Sequence, residues 1–593
     1  MPSDFFGLQV GLSALNAARR QMEIAAQNVS NANTEGYSRQ RVEIAAVGNP
    51  AIAAINARSD GSGSGVAVIG TFRTVDDFLQ ARSLVEHSTN SQLTRSQSLL
   101  TRVEVAFNEP SDTGMQAQLA DLWAGFEDVA NSPGSLAARS QLIQRATTLA
   151  TSVNQAASDM DNLWKSSVEQ LQTVLTGVNS TADRLAELNG SIKRALAGGL
   201  NPNSLLDQRD QLAQQLAQQI GGVAKPGVLG QMDIYVGGTT VVRGEDAEHL
   251  VVNTNGSNIV NAQTTPVLVQ WQKDSFPATV GGGEAAALLD GLNRMLPSYR
   301  AALLGPGPTS TSVTGSTPAA VANDYSVLPA PANNSFTVSL NGAPAVPVTL
   351  TANLTTATPS AIQNAVNAAL LTANLTGVSA HVDAAGVLTL QTVAAGATTA
   401  LVVGAVPGDS TAVDLFGAAP VTTPGTNVLP GQPIGLAAQL AQTVNALHNQ
   451  GVDLNGNAGT DLFTFSVTNG LSVNLTDPKQ VAASAAGKPA LDGGNALSLA
   501  DVSNLTNGPD NTYRGLIINL GVETQTVNRR VDIQSDITKQ VDAARDSGSG
   551  VSIDEEMANM VAYQHTYDAA SRVITAIDQM LDRLINNTGM VGR

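Results

Sequence analysis

The residues of this chain best equipped for chemistry are few, and their spacing limits what they can do. In "LLDQRDQLAQQL", Asp207 and Asp210 flank Arg209 on a helical stretch. Two carboxylates one turn apart are raw material for general acid–base catalysis, but around an arginine on a helix they are expected to form a solvated or salt-bridged face. The five histidines, His87, His249, His381, His448 and His565, stand apart, with no two at the four-residue spacing that turns a pair toward one metal. "DLNGNAGTDLF" (453–463) begins like a calcium loop, with Asp453, Asn455 and Asn457 at alternate positions. Ala458 stands where the sharp turn needs Gly, and Thr464 stands where the bidentate Glu belongs, so an Asx turn is expected instead. "GSGSG" (61–65) runs into the extended "VAVIGTFR", whereas a phosphate cradle needs a helix after its glycines. It reads as a hairpin turn. No Gly-x-Ser-x-Gly elbow occurs. With no cysteine, disulfides, thiolate catalysis and Cys-based metal sites are excluded. The expectation is a chain that is not an enzyme, with no catalytic, cofactor-binding or metal-binding residues and no cofactor.

The composition agrees. The chain has 593 residues, enough for several domains, yet charged residues are only 13% and aromatics 4%. Its net charge of −18 repels phosphate backbones and argues against nucleic acid as a partner. No run of 18 apolar residues is present, so no membrane insertion is expected. The opening "MPSDFFGLQVGLSALNAARR" places its acid early and its arginines late, the reverse of a cleaved secretory signal.

Helical ladders dominate the pattern. Leu8, Leu12, Leu15, Met22, Ala26 and Val29 form a seam of about three heptads that ends in the Asn-rich turn 31–36. From Leu142 to Ala195 the apolar steps alternate four and three almost without break, which predicts a rod on the order of 80 Å. Residues 220–283 alternate as strands, and a short helix follows. Residues 305–334 and 404–433 read as linkers around a hairpin, a helix and a strand pair. Two helices, about 516–546 and 552–586, close the chain, the second opened by a Ser552/Glu555 capping box. Its ladder is Met557, Val561, Gln564, Tyr567, Ser571, Ile574, Ile577, Leu581 and Leu584. Neither terminal helix has a partner nearby in sequence, so they are expected to pack on each other as a coiled coil, with the middle of the chain projecting away.

The expected fold is therefore mainly α with β-rich parts, elongated and multidomain. Its divisions are a discontinuous terminal-helix domain (1–50 and 547–593), a discontinuous helical rod domain with a small β part (51–305 and 434–546) and an inserted α+β module (306–433). Residues 1 to about 40 and about 550 to 593 are expected to be disordered in the free monomer, because isolated helices of this length are marginal in water.

"ALNAARRQMEIAAQNVSNANTEGYSRQ" resembles the N-terminal signature of the bacterial flagellar rod, hook and hook-associated proteins, with Asn28, Asn31, Thr34, Gly36 and Tyr37 on its pattern. "NPNSLLDQRDQLAQQL", carrying Asp207, Arg209 and Asp210, and "SGVSIDEEMANMVAYQHTYDAASRVITAIDQMLDRLIN" are similar to the hook–filament junction members of that family. Residues 306–433 lie outside the resemblance.

The resemblance implies a structural adaptor between hook and filament, built by axial self-assembly, with another axial protein or an adhesin-like stalk as alternatives. It implies as partners copies of the chain itself, hook protein, the second junction protein and an export chaperone at the C-terminal helix. It implies an extracellular place on the flagellum, reached through the flagellar type III apparatus without a cleaved signal. Assembly contacts are then expected from Leu8, Leu12, Leu15, Met22, Val29, Tyr37, Met557, Val561, Tyr567, Ile574, Ile577, Leu581 and Leu584.

Overall fold

The computed structural model describes residues 3–47, 65–305, 310–314, 316, 334–340, 343–351, 359–375, 378–382, 387–395, 401–406, 411–416, 421–423, 435–486, 488–506 and 508–587. The chain is mainly helical, 61% by residue, elongated and multidomain. It opens with α1 (Ser3–Ser30) and the antiparallel pair β1 (Gln40–Ala46) and β2 (Val66–Arg73). Residues 61–64 of the glycine run, on which the expected turn falls, lie outside the described residues. The expected division at residues 50 and 51 falls inside this hairpin.

Four helices follow, α2 (Asp77–Phe107), α3 (Met115–Asn131), α4 (Leu136–Ala197) and α5 (Asn203–Ile220). Asp76 caps α2 by accepting from the Phe78 and Leu79 amides, and Ser135 caps α4 by accepting from Ala138. The 62 residues of α4 span roughly 90 Å as one helix. Leu142, Ala146, Leu149, Val153, Met160, Leu171, Val178, Leu185 and Ile192 are buried along it, so the ladder in the sequence is the core-facing stripe of the rod.

Against this stripe lie a four-stranded meander, β3 (Val223–Pro226), β4 (Met232–Val236), β5 (Thr239–Arg243) and β6 (Asp246–Ala247), and a hairpin of β7 (Leu250–Asn253) and β8 (Leu268–Trp271). The short helix expected next is α6 (Gly283–Asp290) continuing through a π turn (Gly291–Met295) into α7 (Leu296–Leu304). The carbonyl of Leu292 in the π turn accepts a hydrogen bond from Trp164 Nε1 of α4.

The insert holds β9 (Ser310–Thr314), β10 (Ser335–Leu340), β11 (Val346–Thr349), α8 (Pro359–Thr372), β12 (Val378–Val382), β13 (Leu388–Ala395), β14 (Leu401–Ala405), α9 (Thr411–Phe416) and β15 (Val421–Thr423). The expected hairpin around 341–342 is β10–β11, and the expected strand pair is β12–β13. The expected linkers are a correction. β9 and β15 lie within them and complete a sheet of order β12-β13-β9-β15, while α9 packs Phe416 edge-on to Phe336. Their order comes from partners far along the chain, which local composition does not reveal.

The module has its own core around Phe336, Val338, Val366, Leu390 and Phe416, separate from the core of the rod. Gly305 before it and Gly435 after it touch, and a Cβ on Gly435 would lie 2.0 Å from the Gly305 nitrogen. Replacing residues 306–434 with a short Gly-Ser bridge is therefore expected to shift the Tm of the remaining chain by less than about 4 °C. Calorimetry of the shortened chain checks this.

The chain returns through α10 (Leu436–His448), β16 (Phe463–Ser466), β17 (Gly470–Val473) and α11 (Gly494–Ala500). Asp453 accepts from the Asn455 and Asn457 amides at 2.8 and 2.7 Å, the expected Asx turn. His448 is buried, with Nδ1 donating to the Thr460 carbonyl and Nε2 accepting from the Ala482 amide, so it is neutral. Burial holds its pKa below the ordinary imidazole value. The unfolded chain therefore takes up its proton first as pH falls. Stability is full above about pH 6.5 and is lost progressively below it. Melting curves from pH 7.5 to 5.5 are expected to fall more steeply for the natural chain than for His448→Gln.

Last come α12 (Pro509–Ser549) and α13 (Ile553–Asn587). α12 starts seven residues earlier than expected, because Pro509 sits in the first turn, where a missing N–H costs nothing. α12 runs back along α2, and α13 pairs with α1.

Candidate functional site

The two chain ends meet face to face. On α1 the buried positions are Gly11, Ala17, Ala18, Ile24, Ala25 and Asn28. A Cβ on Gly7 would stand 3.0 Å from Ile577 Cδ1, and one on Gly11 would stand 2.9 Å from Ile574 Cγ1. The contact therefore runs along small residues that admit the isoleucines of α13. This corrects the expected seam of α1. Leu8, Leu15, Met22 and Val29 are half-buried and Leu12 is exposed, beside the contact rather than at its centre.

On α13, Ile577 is buried and Tyr567, Ile574 and Leu581 are half-buried, while Met557 and Val561 are exposed. Leu584 lies in α13, with its side chain outside the described residues. At the start of α13 the inward positions are Glu556, Asn559, Met560 and Tyr563, one residue off the expected ladder. Within the chain, α1 and α13 pack on each other along their length.

The signature residues gather where this pair joins the rod. The Asn28 amide is buried and uses its full capacity. Its Oδ1 accepts from Tyr37 OH at 2.8 Å and the Gln40 amide at 3.0 Å, and its Nδ2 donates to the Gln40 carbonyl at 2.9 Å and Glu556 Oε2 at 3.1 Å. Arg39 Nε donates to Glu556 Oε1 at 2.7 Å, and its Nη1 donates to Glu555 at 3.0 Å. Asn31 closes α1 by donating to the Gln27 carbonyl, and the Thr34 hydroxyl donates to Asn31. Gly36 has φ +76°, and a Cβ there would run into Gln211, which donates to the Glu35 carbonyl at 2.9 Å.

Asn203 continues the chain of bonds, donating to Gln40 Oε1 and to the Thr71 carbonyl. Beside it Arg73 of β2 bridges Asp207 at 2.8 Å and Asp210 at 2.9 Å, and Arg209 pairs with Asp210 at 2.6 Å. The carboxylate pair is thus spent on an ion-paired helix face.

Electrostatics reflect this packing. Burial pushes the Tyr37 phenol up to about 12, with Asp207 and Glu556 adding to the rise. Burial alone depresses the Arg73 guanidinium, but Asp210 and Asp207 more than offset that and hold it above its usual value. Among the described residues, no three His, Asp or Glu side chains group as metal ligands.

Sequence reasoning missed Arg39, Gln40, Arg73, Asn203 and Glu556. In a chain with half the usual charge, the two arginines after the Asn-rich turn and the three acids opening the last helix were the available signals. Asn28→Asp is expected to remove both Nδ2 donors and set a second carboxylate against Glu556. The expected loss is roughly 2–4 kcal/mol, read as a lowered denaturation midpoint.

The chain is therefore a rod of helices whose two ends pair and are fastened to it by a polar clasp. Residues 8–37 match the family model described as "Flagella basal body rod protein", and residues 544–587 match "Flagellar basal body rod FlgEFG protein C-terminal". Residues 100–304 match "Flagellar hook-associated protein FlgK helical domain". The chain is 26% identical to flagellar hook-associated protein 1 of Bacillus subtilis (strain 168) over 617 residues, all of both chains. It is 29% identical to the Escherichia coli (strain K12) protein of the same name over 216 residues, 35% of this chain and 38% of that one. A solved structure of the flagellar hook junction protein FlgK from Burkholderia pseudomallei aligns at 16% identity and a TM-score of 0.43, over 80% of this chain and 100% of that one. Along its whole length the chain is thus similar to flagellar hook-associated protein 1, and its helical rod matches the helical-domain model of that protein.

Proposed function

We propose that this chain is the structural adaptor that joins the flagellar hook to the filament by axial self-assembly. The observation that carries this reading is the paired chain ends. They are clasped to the rod, yet leave Leu12, Met557, Val561, Val573 and Met580 exposed on the outer faces of α1 and α13. Apolar side chains at these spacings are satisfied by packing against further helices, which a stack of copies supplies. The role is mechanical, and the Asp207–Asp210 pair serves it by ion-pairing with Arg73 and Arg209.

The partners that fit are other copies of the chain, hook protein on one side and the second junction protein on the other. An export chaperone suits the exposed stripe of α13 before assembly. The chain acts outside the cell, delivered by flagellar type III export without a cleaved signal. No described helix is long and apolar enough to cross a membrane. Electron microscopy of a strain lacking the gene, with the medium assayed for flagellin, is the test. Bare hooks and shed flagellin are expected, whereas normal filaments would overturn the reading.

A further inference from the structure

α12 buries Tyr513, Leu520 and Val541 against the rod but carries apolar side chains on its outward face as well. Thr524, Gln534 and Thr538 are buried against the rod, whereas Ile518, Val522 and Ile533 are each more than half exposed. A helix meant to face water has the opposite distribution. Arg529 and Arg530 on the same helix are exposed and have no acidic partner among the described residues.

A complementary feature lies elsewhere on the rod. A groove of about 600 Å³ runs between α2 and α4, with Val105, Ala106 and Leu163 along it and Arg102 and Asp159 at its sides. Val105 is 74% exposed. Glu169 lies further along α4, exposed and without a basic partner among the described residues.

The ridge and the groove stand at the same height. Gln97 of α2 donates to Asn528 of α12 at 2.8 Å, and Tyr513 of α12 donates to Glu109 at 3.1 Å, so α12 runs antiparallel to α2. Arg95 of α2 donates to Gln170 of α4 at 3.3 Å, while Arg102 and Val105 share the groove with Asp159 and Asn162, so α4 also runs antiparallel to α2. Asn528 and Gln170 thus share one level. Counting back along each helix, Val522 and Leu163 both fall within about one turn of Val105 in height, and Arg529 and Glu169 within about one turn of each other.

We infer that the outward face of α12 docks in the α2–α4 groove of a second copy of this chain. Val522 enters beside Val105 and Leu163, and Arg529 and Arg530 meet Glu169. The occupant is another copy because the chain carries both halves, matched in polarity, charge and level. Different surfaces meet, so the contact is head-to-tail, and equal heights make it lateral, as between neighbours in a ring. This surface lies on the rod, away from the terminal helices, and the inference rests on the reading of the chain as a self-assembling flagellar subunit.

The natural chain has no cysteine, so Val105→Cys and Val522→Cys together introduce its only thiols. Both side chains are exposed, and their loss leaves the core intact. The double variant is expressed in place of the natural chain, and isolated flagella are mildly oxidised. A ladder of covalent multimers is expected from the double variant and none from either single variant. Cross-linking by Val522→Cys alone would indicate a two-fold contact and overturn the proposal. Junctions that contain the chain but give no ladder would overturn this surface while leaving the adaptor role standing. Absence of the natural chain from flagella would overturn both. Separately, Arg529→Glu with Arg530→Glu is expected to cut incorporation about tenfold, and Glu169→Arg added to them to recover most of it. Unchanged incorporation on charge reversal would overturn the pairing.

Discussion

Glu556→Ala is expected to unfasten the chain ends and abolish filament attachment while leaving the rod folded. Glu556 is the point where three segments meet. It accepts from Asn28 of α1 and from Arg39 after the Asn-rich turn, and it opens α13. Its side chain is 4% exposed, that of Arg39 26%. Removing one member of a buried pair strands the other, at a cost of about 3–5 kcal/mol. Arg39 can turn partly to water, which lowers the expectation to roughly 2–3 kcal/mol. That loss falls on the clasp and spares the rod core, which lies along α4. Glu555→Ala is the matched control. Glu555 also touches Arg39 at 3.0 Å but is 63% exposed, so its loss is expected to cost under about 1 kcal/mol. Hydrogen exchange across residues 28–40 and 550–560 separates the two variants, and swimming in soft agar reports the functional difference. Equal behaviour of the two would show that burial of Glu556 is not what holds the ends.

The contrast between these neighbouring glutamates also shows what a sequence can and cannot reveal. The rod was legible because α4 buries large side chains at a constant period, so the stripe is written in Leu, Val and Met. The contact face of α1 was not, because it is made of Gly7, Gly11, Ala18 and Ala25. Counting large apolar residues selects the neighbouring face, where Leu8, Leu12 and Leu15 lie. The clasp was half legible. Asn28, Gly36 and Tyr37 stand close together and fit a known pattern, whereas Arg39 and Glu556 are 517 residues apart. β9, α9 and β15 were hidden for the same reason, since each is ordered by a partner outside its own stretch. Asp207 and Asp210 could be read as paired to a cation, but their main partner is Arg73 on β2, not only Arg209 between them.

Arg73→Ala is expected to have the largest effect on stability. Among the described residues Arg73 is the sole bridge across Asp207 and Asp210 from the hairpin, and all three side chains are nearly buried, at 9%, 10% and 13% exposure. Asp207 Oδ2 already lacks a hydrogen-bond partner. Without the guanidinium, Asp207 keeps no cation within ion-pair distance among the described residues, while Asp210 retains Arg209. Two carboxylates on one helix face then repel each other in a poorly solvated site. A stranded buried charge costs about 3–5 kcal/mol, and this variant strands one acid fully and another in part. Arg73→Lys is expected to recover less than half of the loss, because an ammonium lacks the planar fork that reaches both acids. Asp207→Asn in the Arg73→Ala background removes the uncompensated charge and is expected to restore stability by about 1–3 kcal/mol, so the double variant outlasts the single one in denaturant. If Asp207→Asn instead weakens the Arg73→Ala chain further, the loss comes from missing packing against β2 rather than from a stranded charge.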